Sequence, residues 1–144
     1  MEILVFGRQQ VEAGIRIKSS YVVISIRSPG EPLAEVKKQA GLRDVLYLAF
    51  SGIEPRADLR LSAEIEFFTP AQADEICAFV HRHKADVGAI VVHCEKGQSR
   101  SPAIAAAISE GLGLDAQRFW KLYTPKKYLY EAVSEAFKRS AAAR

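Results

Sequence analysis

Four short runs constrain the fold of this chain more than any other feature: EILVF from Glu2, YVVISI from Tyr21, VLYLAF from Val45 and AIVVH from Ala89. Nearly every residue in them is apolar, and many are β-branched. Successive side chains of a strand point to opposite faces of its sheet, so a strand with one wet face alternates apolar and polar residues. Runs without that alternation need cover on both faces, the situation of parallel strands flanked by helices. The expected fold is therefore α/β, with a central, mostly parallel sheet of about four to five strands flanked by helices.

The segments between the runs supply those helices. Thr69, Pro70 and Gln72 occupy N-cap, N1 and N3 positions, with Ile76, Phe79 and Val80 following at helical spacing, which predicts a helix over residues 70–84. Ala103, Ile104, Ala107 and Ile108 mark the apolar face of a second helix, closed by the GLG at 111–113. A third is expected from about Asp115 to Leu122. A fourth is opened by Thr124 and Pro125, with Leu129, Val133 and Phe137 recurring every four residues. Phe119, Trp120 and Tyr123 are expected to pack these last helices against the sheet. The 144 residues suit one domain, 1–144, with residues 140–144 frayed.

Composition narrows the function classes. The chain is 49% apolar and 26% charged, the balance of a globular protein, and no run reaches the ~18 to 20 apolar residues of a membrane span. No basic leader precedes the first apolar stretch, so a cytoplasmic location with no membrane partner is expected. The net charge of +3 is spread along the chain, so no nucleic-acid partner is expected either. Cys77 and Cys94 make no disulfide framework, and neither has zinc-ligand neighbours in sequence. His81 and His83 fall on different sides of a helix, as a solvated helix end allows and a shared metal does not. No metal and no cofactor are expected, and a monomer is the default.

The fourth run does not end as the others do. In AIVVHCEKGQSRSPAIAAAI, residues 89–108, the strand stops at His93 and Cys94, passes through a short polar loop and restarts as an Ala-rich helix. Open α/β sheets place their ligands at such a strand-to-helix junction. Successive N–H groups of a tight turn, followed by the positive end of a helix, form a concave anion cradle. Gly97 tolerates the positive φ such a turn requires. Arg100 at the helix start is suited to hold a phosphate through two parallel hydrogen bonds. The same positive potential favours the thiolate of Cys94, the nucleophilic form. Ser101 is placed to donate to the sulfur, and His93 to brace the loop through its ring.

HCEKGQSRS matches, at each fixed position, the His-Cys-two-residues-Gly-two-residues-Arg-Ser/Thr signature of the cysteine-dependent protein tyrosine phosphatases, and in length and plan the chain resembles their small bacterial, dual-specificity-like branch. The resemblance runs from about residue 45 to residue 137. It implies a phosphocysteine on Cys94 and substrate phosphate held by Arg100 and the loop from Glu95 through Lys96, Gly97, Gln98 and Ser99. It also implies a general acid from a separate upstream loop. Asp58 in FSGIEPRADLR is the first candidate for that acid, and Glu54 the second. Lys126 stands where many relatives carry Asn after Pro, so a supporting hydrogen bond must be missing or replaced. Glu95 places an acid beside the cradle and disfavours very highly charged substrates. Cys77 reads as a small buried hydrophobe or as a resolving partner for an oxidised Cys94.

The expected function is a phosphomonoesterase acting through phosphocysteine, a protein tyrosine or dual-specificity phosphatase, with a phosphorylated protein or small phosphomonoester as its partner. The alternatives are a phosphate-recognising binding module, a phosphatase of a phosphoinositide or nucleotide, and a sulfurtransferase or arsenate reductase with its own loop cysteine.

Overall fold

A computed structural model describes residues 1–55 and 65–142. In chain order they form β1 (Glu2–Gly7), α1 (Arg8–Ala13), β2 (Tyr21–Arg27), β3 (Leu42–Ala49), α2 (Pro70–His83), β4 (Ala89–Cys94), α3 (Arg100–Gly111), α4 (Gln117–Leu122) and α5 (Lys127–Ala142). The four strands form one sheet in the order β1-β4-β2-β3, and each neighbouring pair is parallel.

The two runs that are buried almost throughout, YVVISI of β2 and AIVVH of β4, fall in the middle of that order. On one face Val22, Ile24, Ile26, Ile90 and Val92 join a core with α2, α3 and α5; on the other Val23, Ala89 and Val91 pack with Val11 of α1 and Ile15. The edges are less well covered, and Tyr47 of β3 is exposed. This explains why β3 begins at Leu42 and not at Val45. Leu42 and Asp44 pair with Tyr21 and Val22 of β2, Arg43 sits in a bulge between them, and the side chains of Arg43 and Asp44 reach solvent and α2, so the strand extends past its apolar stretch.

Helix α2 starts where its capping signal places it. Thr69 accepts the Gln72 N–H and the Gln72 side chain accepts the Thr69 N–H, a reciprocal cap worth about 1 kcal/mol. Helix α1 was not legible, since it is a single turn and a half with only Val11 buried. Two expectations are corrected. Phe119 is buried, but Trp120 is 42% exposed and packs edge-on against Tyr130 of α5, not against the sheet. Adjacent residues of a helix project about 100° apart, and one short helix cannot turn both rings inward. Helix α5 runs through its alanines, the best helix formers, to Ala142. His83 is not a solvated end: its Nε2 lies 2.9 Å from Asp44 Oδ2 and ties α2 to β3.

Cys77 is buried on α2, its thiol 3.8 Å from the Ala136 carbonyl of α5. That is the setting of a small packed hydrophobe. Among the described residues no helix is long and apolar enough to cross a membrane.

Candidate active site

Strand β4 delivers Cys94 to the carboxyl edge of the sheet, between the ends of β1 and β2. The chain then turns through Glu95–Ser99 into α3, whose first ten residues are all buried. Gly97 makes the turn possible. Its φ is +70°, and a Cβ there would stand 2.8 Å from the Phe6 carbonyl carbon and oxygen. The loop is also pinned from outside. Arg8 N–H donates to the Glu95 carbonyl at 3.0 Å, Thr124 N–H to Gln98 at 2.9 Å, and Lys126 N–H to Ser99 at 3.1 Å. Lys126 thus reaches the loop through its backbone N–H.

The Cys94 sulfur, 2% exposed as a residue, lies 3.3 Å from the Gly97 N–H and 3.2 Å from Ser101 Oγ. Burial pushes its pKa up. Hydrogen bonds from the Ser101 side chain and backbone and from the Gly97 N–H, together with the Arg100 charge, more than reverse this, and the thiol sits below its ordinary value. For the thiolate, which has no proton to give, Ser101 is the donor.

His93 is buried one residue earlier. Its Nδ1 lies 3.3 Å from the Cys94 carbonyl and its Nε2 2.6 Å from Ser25 Oγ. A carbonyl only accepts, so Nδ1 carries the proton and Nε2 takes the Ser25 hydroxyl hydrogen. Burial, aided by the Arg8 charge, holds its pKa below the usual imidazole value against the opposing pull of the Cys94 bond and Glu12. The ring is a neutral brace between β2 and the cysteine's own backbone. Ser25 was missed at the sequence level, although a lone Ser within YVVISI signals a buried hydroxyl in need of a partner.

Arg100 is buried, and its Nη1 donates to the Phe50 carbonyl at 3.0 Å and to Ser28 Oγ at 3.2 Å. With Nη1 held, the Nε/Nη2 edge is the one left to meet an oxyanion through two bonds. Gly52 lies along the arginine stem, where a Cβ would be 3.3 Å from Cδ. Tyr128 of α5 holds the same segment, its hydroxyl 2.9 Å from the Ile53 carbonyl and 3.3 Å from that of Ser51. The Ser51 N–H in turn donates to the Glu66 carbonyl. None of Ser28, Phe50 and Tyr128 carries a local sequence signal.

The two acid candidates differ in standing. Asp58 lies outside the described residues. Glu54 is exposed and borders a small polar pocket with Lys126, Lys127, Tyr128 and Glu131. Burial first, and the Glu54 carboxylate second, push Tyr128 up to about 12, against the opposing charge of Arg100. Among the described residues no group of three or more His, Cys, Asp or Glu side chains is arranged to hold a metal.

The sequence matches no protein-family model and no curated protein. The fold does have relatives among solved structures. Human DUSP28 superposes with a TM-score of 0.58 at 14% identity, over 99% of this chain and 95% of its own. PTPMT1 in complex with PI(5)P gives 0.54 at 17% identity, over 87% and 81%. Tk-PTP in its active form gives 0.51 at 13%, over 96% and 93%. With its cysteine loop at the end of an interior parallel strand, this chain has the fold of the dual-specificity and protein tyrosine phosphatases.

Proposed function

We propose that the protein is a phosphomonoesterase of the protein tyrosine or dual-specificity type, working through a phosphocysteine on Cys94. The observation that carries the reading is the convergence on one sulfur of a glycine N–H, a serine hydroxyl and an arginine charge, which together lower the thiol pKa despite burial. A module that only binds phosphate has no use for a stabilised thiolate.

In the first step the Cys94 sulfur attacks phosphorus as the bond to the leaving oxygen breaks. An acid from the loop after β3, Asp58 first and Glu54 second, gives that oxygen its proton. Arg100 and the amides of residues 95–100 hold the three equatorial oxygens, whose charge grows in the transition state. Ser101 then donates to the departing sulfur as water attacks phosphorus and gives a proton to the carboxylate that the first step left, and inorganic phosphate is released. The substrate is a phosphorylated protein in the cytoplasm. Glu95, exposed beside the cradle, favours a single phosphate over a crowded polyphosphate.

The test is hydrolysis of an aryl phosphate in the presence of a chelator. Turnover is expected, with none in Cys94→Ser, which still binds phosphate; turnover surviving that change, or requiring added metal, overturns the mechanism. A phosphotyrosine peptide and PI(5)P, the lipid bound by PTPMT1, compared by kcat/KM, separate protein from lipid substrates. Asp58→Asn and Glu54→Gln identify the acid, because its loss flattens the basic limb of the pH-rate profile.

A further inference from the structure

The segment from Thr124 to Tyr128 touches both halves of the site. Its N–H groups at 124 and 126 hold the cradle carbonyls of Gln98 and Ser99, and the Tyr128 hydroxyl faces the Ser51 and Ile53 carbonyls. Those two carbonyls are two residues apart and converge on one point. Two like dipoles so placed repel unless a proton lies between them, and the phenol supplies it. The curl thus held places Gly52 against the arginine stem and the Phe50 carbonyl on Nη1.

We propose that Tyr128 is a positioning residue for Arg100: its hydroxyl fixes residues 50–53, and that segment aims the Nε/Nη2 edge of the guanidinium into the cradle. The role rests on the reading of Arg100 as the phosphate-holding group. Tyr128 touches no substrate. It acts through a backbone carbonyl three residues from its nearer hydrogen-bond partner, which is why no sequence signature accompanies it. Half-buried and pushed up to about 12, the phenol keeps its proton at any pH at which the protein is used. The orientation it imposes is therefore independent of pH.

Tyr128→Phe removes the hydroxyl and keeps the ring. The experiment is a double-mutant cycle with Arg100→Lys, read as tungstate affinity by calorimetry and as kcat/KM for an aryl phosphate. Tyr128→Phe should weaken both about tenfold in the otherwise unchanged chain, about the worth of one good hydrogen bond, and less than twofold in the Arg100→Lys background. A merely structural tyrosine would lower the melting temperature and act equally in both backgrounds, and equal effects overturn the proposal. Rapid turnover is not required. If the chain binds tungstate but hydrolyses nothing, the catalytic reading fails while the coupling is still scored. The Arg100 Nε–H resonance, identified by its loss in Arg100→Lys, gives a ligand-free readout: an unshifted resonance in Tyr128→Phe overturns the positioning role.

Discussion

The Arg100 guanidinium donates to the Phe50 carbonyl across the mouth of the sheet, joining the first residue of α3 to the residue that follows β3. This bond uses one nitrogen and fixes the plane of the other two. A lysine at the same place would be a point charge without that plane. Arg100→Lys is expected to lower kcat/KM for an aryl phosphate by about 100- to 1000-fold, the usual loss when a preorganised transition-state donor is removed. The Cys94 thiol should remain reactive, and alkylation by iodoacetamide measured beside turnover separates the two effects.

Ser101 makes a different prediction. Hydrogen bonds to a thiolate favour the ionised form and lower the pKa, so their removal must raise it. In Ser101→Ala the inflection of the alkylation-rate profile should move to higher pH than in the unmodified protein. An unmoved inflection means that the Gly97 N–H and Arg100 suffice to hold the sulfur.

Gly97→Ala meets two obstacles at once, a φ of +70° and the backbone of Phe6 at 2.8 Å. Backbone cannot turn aside as a flexible side chain does. The loss should exceed ~1 kcal/mol of stability, or a fall of more than about 2 °C in melting temperature for a chain of this size. Phosphate binding should fall with it. Gly30 has a positive φ of 85° but open space around it, and Gly30→Ala is the control that isolates backbone strain from collision.

His93 couples folding to pH. Its folded pKa lies below the usual value because the ring is buried, so near and below pH ~6.5 the unfolded chain binds more protons than the folded one. Stability from this residue is present above the unfolded pKa and is lost as pH falls towards the folded one. Denaturant midpoints between pH 7.5 and 5.5 should decline on acidification. His93→Gln should lower the midpoint at pH 7.5 and flatten the decline.

How much of this was legible in the sequence follows from where each signal resides. The interior strands were readable because cover on both faces leaves a continuous apolar record, as in Val22–Ile24 and Ile90–Val92. The edge strand β3 was read short, since Arg43 and Asp44 lie where an edge can afford polar side chains. The cradle was legible because its residues are contiguous from His93 to Ser101 and each carries its chemistry in its side chain. Its supports were not. Ser28 and Phe50 meet Arg100 from 72 and 50 residues away, and Ser25 meets His93 from 68. Phe50 contributes only a carbonyl, which every residue has. Tyr128 reads in sequence as one more aromatic near a helix start. Only the fold makes it a donor to a loop 75 residues away.

The order of the strands divides the site unequally. β4 is enclosed by β1 and β2, so the thiol inherits the slow opening of the sheet's centre. β3, after which the two proposed acid candidates follow in sequence, is an edge with one partner. On warming or in mild denaturant the edge should loosen first, its amides exchanging while those of Val91 and Val92 stay protected. The protein would then pass through a stage in which it still captures phosphoryl oxyanions and still reacts with alkylating agents, yet no longer expels its leaving group. Such a form is a trap before it is a ruin, and its signature is thiol chemistry that outlives turnover on a single melting curve.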